Sequence, residues 1–228
     1  MMRKPFRPFI IIGLIAAIGV FFGLTYKFPE IEVFQYYQNI DQEIVTCENK
    51  SPETLETTLN TLQESIRNVI SVGKTYDGKE DVTELFTSFN KAYEGLKKYT
   101  ADVVTCMNNN LEGIDFDKVN STLSKLPENL SSLGEQMSTF QKTRTEKLTQ
   151  LNKELTVLTE SLTNFEEMFY NTKTSETVQY FQNINTIFTN IEQLHGDYIK
   201  AIEDYYSVKT KYYEEIANKG VLDYLFNK

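Results

Sequence analysis

Two cysteines, a single histidine, several adjacent carboxylates and three pairs of neighbouring tyrosines are the side chains in this 228-residue sequence from which chemistry could be built. Cys47 and Cys106 both fall on apolar helical stripes, near the ends of the first and third helical segments. If those segments run up, down and up, the two thiols meet at one pole. A disulfide between them would close a loop of about sixty residues, a constraint of about 3–4 kcal/mol from loop-closure entropy. An oxidising space outside the cytoplasm would permit it. The competing reading is two separate buried thiols acting as small hydrophobes; the disulfide is preferred. Two cysteines alone make no metal site.

His195, the one histidine, lies between Leu194 and Gly196 in a long helical segment. With no second histidine and no cysteine nearby in sequence, it belongs to neither a zinc ligand set nor a Ser-His-Asp triad, and reads as a boundary or surface residue. The pairs Glu166-Glu167, Glu203-Asp204 and Glu214-Glu215 are adjacent on helices. Their members therefore point apart, whereas a glycosidase needs two carboxylates facing each other across a cleft. No Gly-rich phosphate loop occurs, and with one histidine there is no His-Glu-x-x-His metal motif; Glu192-Gln193-Leu194-His195 is a half-motif without its second histidine. The sequence thus predicts a protein that is not an enzyme, with no catalytic residue, cofactor or metal.

The tyrosine pairs Tyr36-Tyr37, Tyr205-Tyr206 and Tyr212-Tyr213 remain. Only one member of each pair can occupy an apolar stripe; the other lies near the rim, where aromatic rings anchor partner proteins. Tyr36, Tyr206 and Tyr213 are the expected partner contacts, against the alternative that they pack on a third helix. The absence of tryptophan weakens a carbohydrate-binding reading. Asn49, Asn120 and Asn129 head sequons that matter only in a eukaryotic owner.

The elements that must position these groups are helical. Val33, Tyr37, Ile40, Ile44 and Cys47 step by four and three, and Leu55, Leu59, Leu62, Ile66 and Val69 repeat the rhythm after a Ser51-Pro52 start. Gly73–Gly78 is a turn by composition, and a third stripe runs from Val82 to Cys106 or Met107. Asn108–Asp115 reads as a loop, and Phe116–Leu126 as a short helix stopped by Pro127. Two long segments over 128–217, joined near Asn171–Ser175, form an antiparallel coiled-coil hairpin. Their stripe includes Leu130, Leu133, Met137 and Phe140, then Leu148, Leu151 and Leu155. The interval from Phe140 to Leu148 exceeds a heptad by one residue, so the seam drifts beside Arg144, which is the expected bend or docking groove. Gln35–Ile40 and Gln179–Ile184 share a weak six-residue likeness that chance explains.

Residues 9–26 are free of charge and span about 27 Å as a helix, close to the thickness of a bilayer core. Arg3, Lys4 and Arg7 precede them, and Glu30 and Glu32 follow. The positive-inside rule then predicts a cytoplasmic flank over 1–8, a transmembrane signal-anchor over 9–26 and an extracytoplasmic helical bundle over 27–228. A signal peptide cleaved near Ala17-Ile18-Gly19 is the competing reading, disfavoured because the apolar run continues through Leu24.

The fold class expected is all-α: a transmembrane helix followed by an elongated multi-helix bundle with a long C-terminal hairpin. The net charge of −9 disfavours nucleic acid as a partner. The functional expectation is a single-span scaffold or interaction protein of the cell envelope. It would contact the membrane through 9–26 and dock envelope proteins, or its own copy, through helix faces. The runner-up is an extracytoplasmic ligand-sensing bundle serving a receptor or transporter, which would show a pocket between helices with a few convergent polar groups. A membrane-active protein that refolds to insert is a third class, disfavoured because no second long apolar run follows residue 26.

Overall fold

Leucines at alternating steps of three and four build a helical hairpin that serves as the spine of the fold. The computed structural model describes residues 28–170 and 174–218. All regular structure among them is helical: α1 (Pro29–Glu48), α2 (Leu55–Gly73), α3 (Thr83–Tyr99), a π-helical turn (Thr100–Val104), α4 (Thr105–Glu112), α5 (Phe116–Leu123), α6 (Glu128–Ser161), α7 (Phe165–Tyr170) and α8 (Thr174–Asn218). The all-helical bundle and its long antiparallel hairpin are as the periodicity predicts.

The hairpin is α6 against α8. Its cross-links step in opposite directions along the two helices. Tyr180 donates to the Ser161 carbonyl (2.7 Å), Asn190 to Glu154 (2.7 Å) and Asn129 to Glu215 (3.1 Å), and Lys147 pairs with Asp197 (2.8 Å). Leu148, Leu151, Leu155, Leu158 and Leu162 are removed from solvent along the seam.

The remaining helices cover the hairpin in an order the sequence did not reveal. α1 starts at the open end, where Tyr212 donates to the Glu30 carbonyl (3.1 Å), and climbs past Ser138, whose hydroxyl meets Tyr37 (2.8 Å). α2 continues in the same direction: Gln63 donates to Glu192 (3.0 Å), and beyond its end Tyr76 packs on Phe169 at the turn end. α3 then descends, with Phe89 stacked on Phe165 (4.2 Å) and Tyr93 donating to the Thr159 carbonyl (2.8 Å). α4 follows it down to Asn108, which accepts from Thr149 (2.8 Å). The result is an up-down-up-down four-helix bundle whose first helix is broken into α1 and α2. The up, down, up order expected for the first three segments is therefore corrected. α1 and α2 lie end to end, and α3–α4 returns past both.

Local signals explain the joints. Thr54, not Ser51, caps α2 by accepting from the Thr57 N–H, while Ser51 accepts from Glu53 N–H in the bend between α1 and α2. Gly78 takes a φ of +84° in the α2–α3 turn, a conformation that favours glycine. Gly134 allows α5 to approach closely, since a Cβ there would overlap a terminal methyl of Leu123 unless that side chain moved. The segment from Asn108, expected as a loop, stays helical through Glu112. The π turn before it advances the phase, so that Val103, Val104, Met107 and Leu111 all reach the core.

The expected drift near Arg144 is also corrected. On α6, residues 130, 134, 137, 141, 144 and 148 are buried in unbroken steps of four and three. Gln141 and Arg144 occupy interior positions of a continuous heptad, while Leu133 and Phe140 lie at its edge. A stripe traced through apolar residues alone therefore left the true seam.

No helix among the described residues is long and apolar enough to cross a membrane. The span expected over 9–26 and its flank over 1–8 lie outside the described residues. The single-pass, extracytoplasmic placement thus has no support in the described structure, and that expectation is withdrawn.

Candidate functional site

The open half of the bundle is built around charge. Asp41 of α1 is enclosed by three donors from two other helices: Arg144 Nη1 (3.2 Å) from α6, and Lys209 Nζ (2.7 Å) and Tyr205 Oη (3.1 Å) from α8. Arg144 is 1% exposed, and Gln141 beside it is wholly buried. Burial opposes the guanidinium charge, but the oxygens of Tyr198 and Asp41 outweigh burial and hold the Arg144 pKa above its ordinary value. Burial, reinforced by Asp41, pushes the Tyr205 phenol far above its ordinary range, so it stays a donor. Arg144 also lies 5.9 Å from the ring centroids of Tyr198 and Tyr205. Tyr198 Oη and Arg144 Nε are each buried without a hydrogen bond of good geometry to a described residue. With two cations and one carboxylate, this knot ties α1, α6 and α8 together.

Outside the knot the polarity is reversed. Ile199, Tyr206 and Tyr213 recur at heptad spacing on α8 and are 42%, 40% and 53% exposed. Ile31, Phe34 and Val45 share one face of α1 by helical spacing, with Ile31 and Val45 exposed. Phe34 and Tyr213 bring the two rows together at a ring separation of 5.3 Å, and Lys209 Nζ lies 5.3 Å from the Phe34 ring. The α1–α8 face is therefore an apolar and aromatic strip underlain by fixed charge.

Of the residues expected to meet a partner, Tyr206 and Tyr213 lie on this strip. Tyr36 does not: its hydroxyl accepts from the Asp115 N–H (2.8 Å) and its ring sits under Lys118 (5.7 Å), so it fastens α5 to α1. Arg144, expected at a surface groove, is interior, because it fills a core position of the α6 heptad. Cys47 and Cys106 form a disulfide with Cα atoms 5.7 Å apart. It joins the end of α1 to the start of α4 at mid-height in the bundle, not at a pole.

Asp41, Gln141 and Lys209 were not singled out from the sequence. Their signal was faint but present: Gln141 and Arg144 sit between Met137 and Leu148 in heptad register, and Ile199, Tyr206 and Tyr213 share a spacing of seven. Comparison of the chain with protein-family models, with curated proteins and with solved structures finds no match.

Proposed function

We propose that this protein is a helical interaction module that docks an amphipathic helix of a partner protein along its α1–α8 face. The observation that carries this reading is the heptad row Ile199, Tyr206 and Tyr213, exposed on a helix whose other apolar row is buried against α6. Side chains at that spacing present a straight seam for a second helix, and tyrosines supply large rigid contact area with a polar tip. The buried knot beneath holds α1 and α8 in one register, so the strip is preorganised. A second copy is disfavoured as occupant because it would bring together two chains of net charge −9.

The test is site-specific photocrosslinking in the native cell. A photoreactive residue replaces Tyr206 or Tyr213 of the full chain, with exposed Lys91 on α3 as the control position. The reading expects one shared adduct at 206 and 213, absent at 91, whose crosslinked peptide has helical amphipathic spacing and which is lost on Ile199→Glu. An adduct that proves to be the chain itself would replace the partner by a homodimer. Equal labelling at all three positions would defeat the proposal.

A further inference from the structure

The break between α1 and α2 leaves a second feature, which adjoins the docking face at Ile199. Over Asn49–Thr54 one of the four bundle positions has no helix. A cleft of about 450 Å³ opens there, within the range of small-molecule sites. Its apolar wall comes from buried Val104, Met107, Leu148 and Leu151. Tyr99 and Tyr198 line it with aromatic surface, and the Tyr198 hydroxyl is buried without a well-formed hydrogen bond to any described residue. The π turn forms part of the same wall through Val104, and the Cys47–Cys106 disulfide fixes the α1 edge immediately before Glu48.

The charges that line the cleft have one sign, although the buried Arg144 lies 5.9 Å from the Tyr198 ring. Glu48, Glu53 and Glu56 are exposed at its edge, and no lysine or arginine lines it. His195 lines it too, and burial holds the imidazole below its ordinary pKa against the pull of Glu56, disfavouring its charged form. Lys50 and Lys98 line a separate depression that shares the Ser51–Glu53 bend, and Lys50 Nζ contacts Cys106 Sγ at 3.1 Å.

We infer that this cleft binds a small amphipathic organic cation, an ammonium group carried on an apolar or aromatic body. The body replaces water along the Val104–Met107 and Leu148–Leu151 walls. The ammonium sits among the three carboxylates, within reach of the Tyr99 ring; the Tyr198 ring already faces Arg144. An anionic ligand of the same shape meets only like charge.

Dansylcadaverine, excited directly at the dansyl band, is the probe, with dansylglycine as the anionic counterpart carrying the same fluorophore. Titrated into the full-length protein, dansylcadaverine is expected to bind one-to-one, at least about tenfold more tightly than dansylglycine, with a preference that shrinks in high salt. Glu48→Gln with Glu56→Gln, both exposed and so neutral for folding, weakens binding by about three- to tenfold. Ile202→Trp, which fills the cleft from α8, removes binding, with helicity and melting temperature as the folding control. Equal affinity for both probes overturns the assignment of charge. Binding that survives both variants overturns the site, and no saturable binding of dansylcadaverine up to millimolar concentration overturns the inference altogether.

Discussion

At the turn end of the α6–α8 hairpin the buried rings meet each other, whereas at the open end buried rings enclose charges and further rings, Tyr206 and Tyr213, lie outside. Phe165 stacks on Phe89 (4.2 Å) and meets Phe181 edge-on (5.8 Å), and Phe169 does the same with Phe86 (5.1 Å). Among the described residues no buried charged group shares that cluster. The open end encloses Asp41, Arg144 and Lys209 and leaves Val45, Tyr206 and Tyr213 to solvent. Apolar burial is strong but indifferent to small shifts in register, while a carboxylate shared by three donors is satisfied in one alignment only. The turn end therefore supplies cohesion. The open end supplies alignment of α1 on α8, which a docking face requires.

The largest effects separate these roles. Phe165→Ala and Asp41→Ala each cost about 3–5 kcal/mol, one by cavity formation and the other by stranding buried cations. Calorimetry should show each lowering Tm by roughly 10 °C or more. They part on rescue. Adding Arg144→Met and Lys209→Met to Asp41→Ala restores most of the loss but speeds amide exchange along α1, whereas the Phe165 cavity yields only to another large apolar side chain. If Asp41→Ala melts like wild type, the contrast between the two ends collapses.

Next in size is the disulfide. Cys47→Ser with Cys106→Ser should lower stability by about 2–4 kcal/mol in urea titrations, with the helical content retained. A drop in helicity would mean that α1 depends on the bond for its docking.

Alkali tests the phenols of the knot's surroundings. Tyr37 is wholly buried against Ser138, and burial raises its pKa from 10.0 to about 12. A raised pKa contributes stability that is complete while the phenol is neutral in both folded and unfolded chains. That contribution is lost as pH rises from about 10 through about 12. The loss is roughly 2–3 kcal/mol for this one residue. Tyr37→Phe should flatten that part of the stability curve, read by denaturant midpoints across the window.

The smallest effect belongs to the strip. Tyr206→Ser with Tyr213→Ser should change the stability of the isolated protein by no more than about 1 kcal/mol, because both residues are only about half covered. A larger loss would make them part of the fold and not a face awaiting a partner.

Period was the legible part of this sequence. The stripes from Val33 to Cys47, from Leu55 to Val69 and from Leu148 to Phe169 emerge as buried faces, and the hairpin follows from their length. What resisted reading was direction and phase. Nothing local in Asn49–Thr54 says whether the chain reverses or continues, so the direction of α2 is not encoded in its own residues. The Cys47–Cys106 pair was reached through a topology that the structure replaces. The π turn inserts its shift through Thr100–Val104 without any marker residue, which hid the helix beyond Asn108. Polar residues in a core position break an apolar stripe by eye, and this concealed the register of Gln141 and Arg144. The rim tyrosines were visible as pairs, but which of them face solvent depended on where α5 lies, and that contact claimed Tyr36.

The docking account is tested most directly by hydroxyl-radical footprinting of tyrosines in the living cell against the purified protein. Tyr170, 49% exposed at the turn end, serves as the internal standard for Tyr206 and Tyr213 at the open end. The account predicts that Tyr206 and Tyr213 are protected in the cell while Tyr170 reacts equally in both settings. Equal reactivity of all three in the cell and in isolation would contradict it.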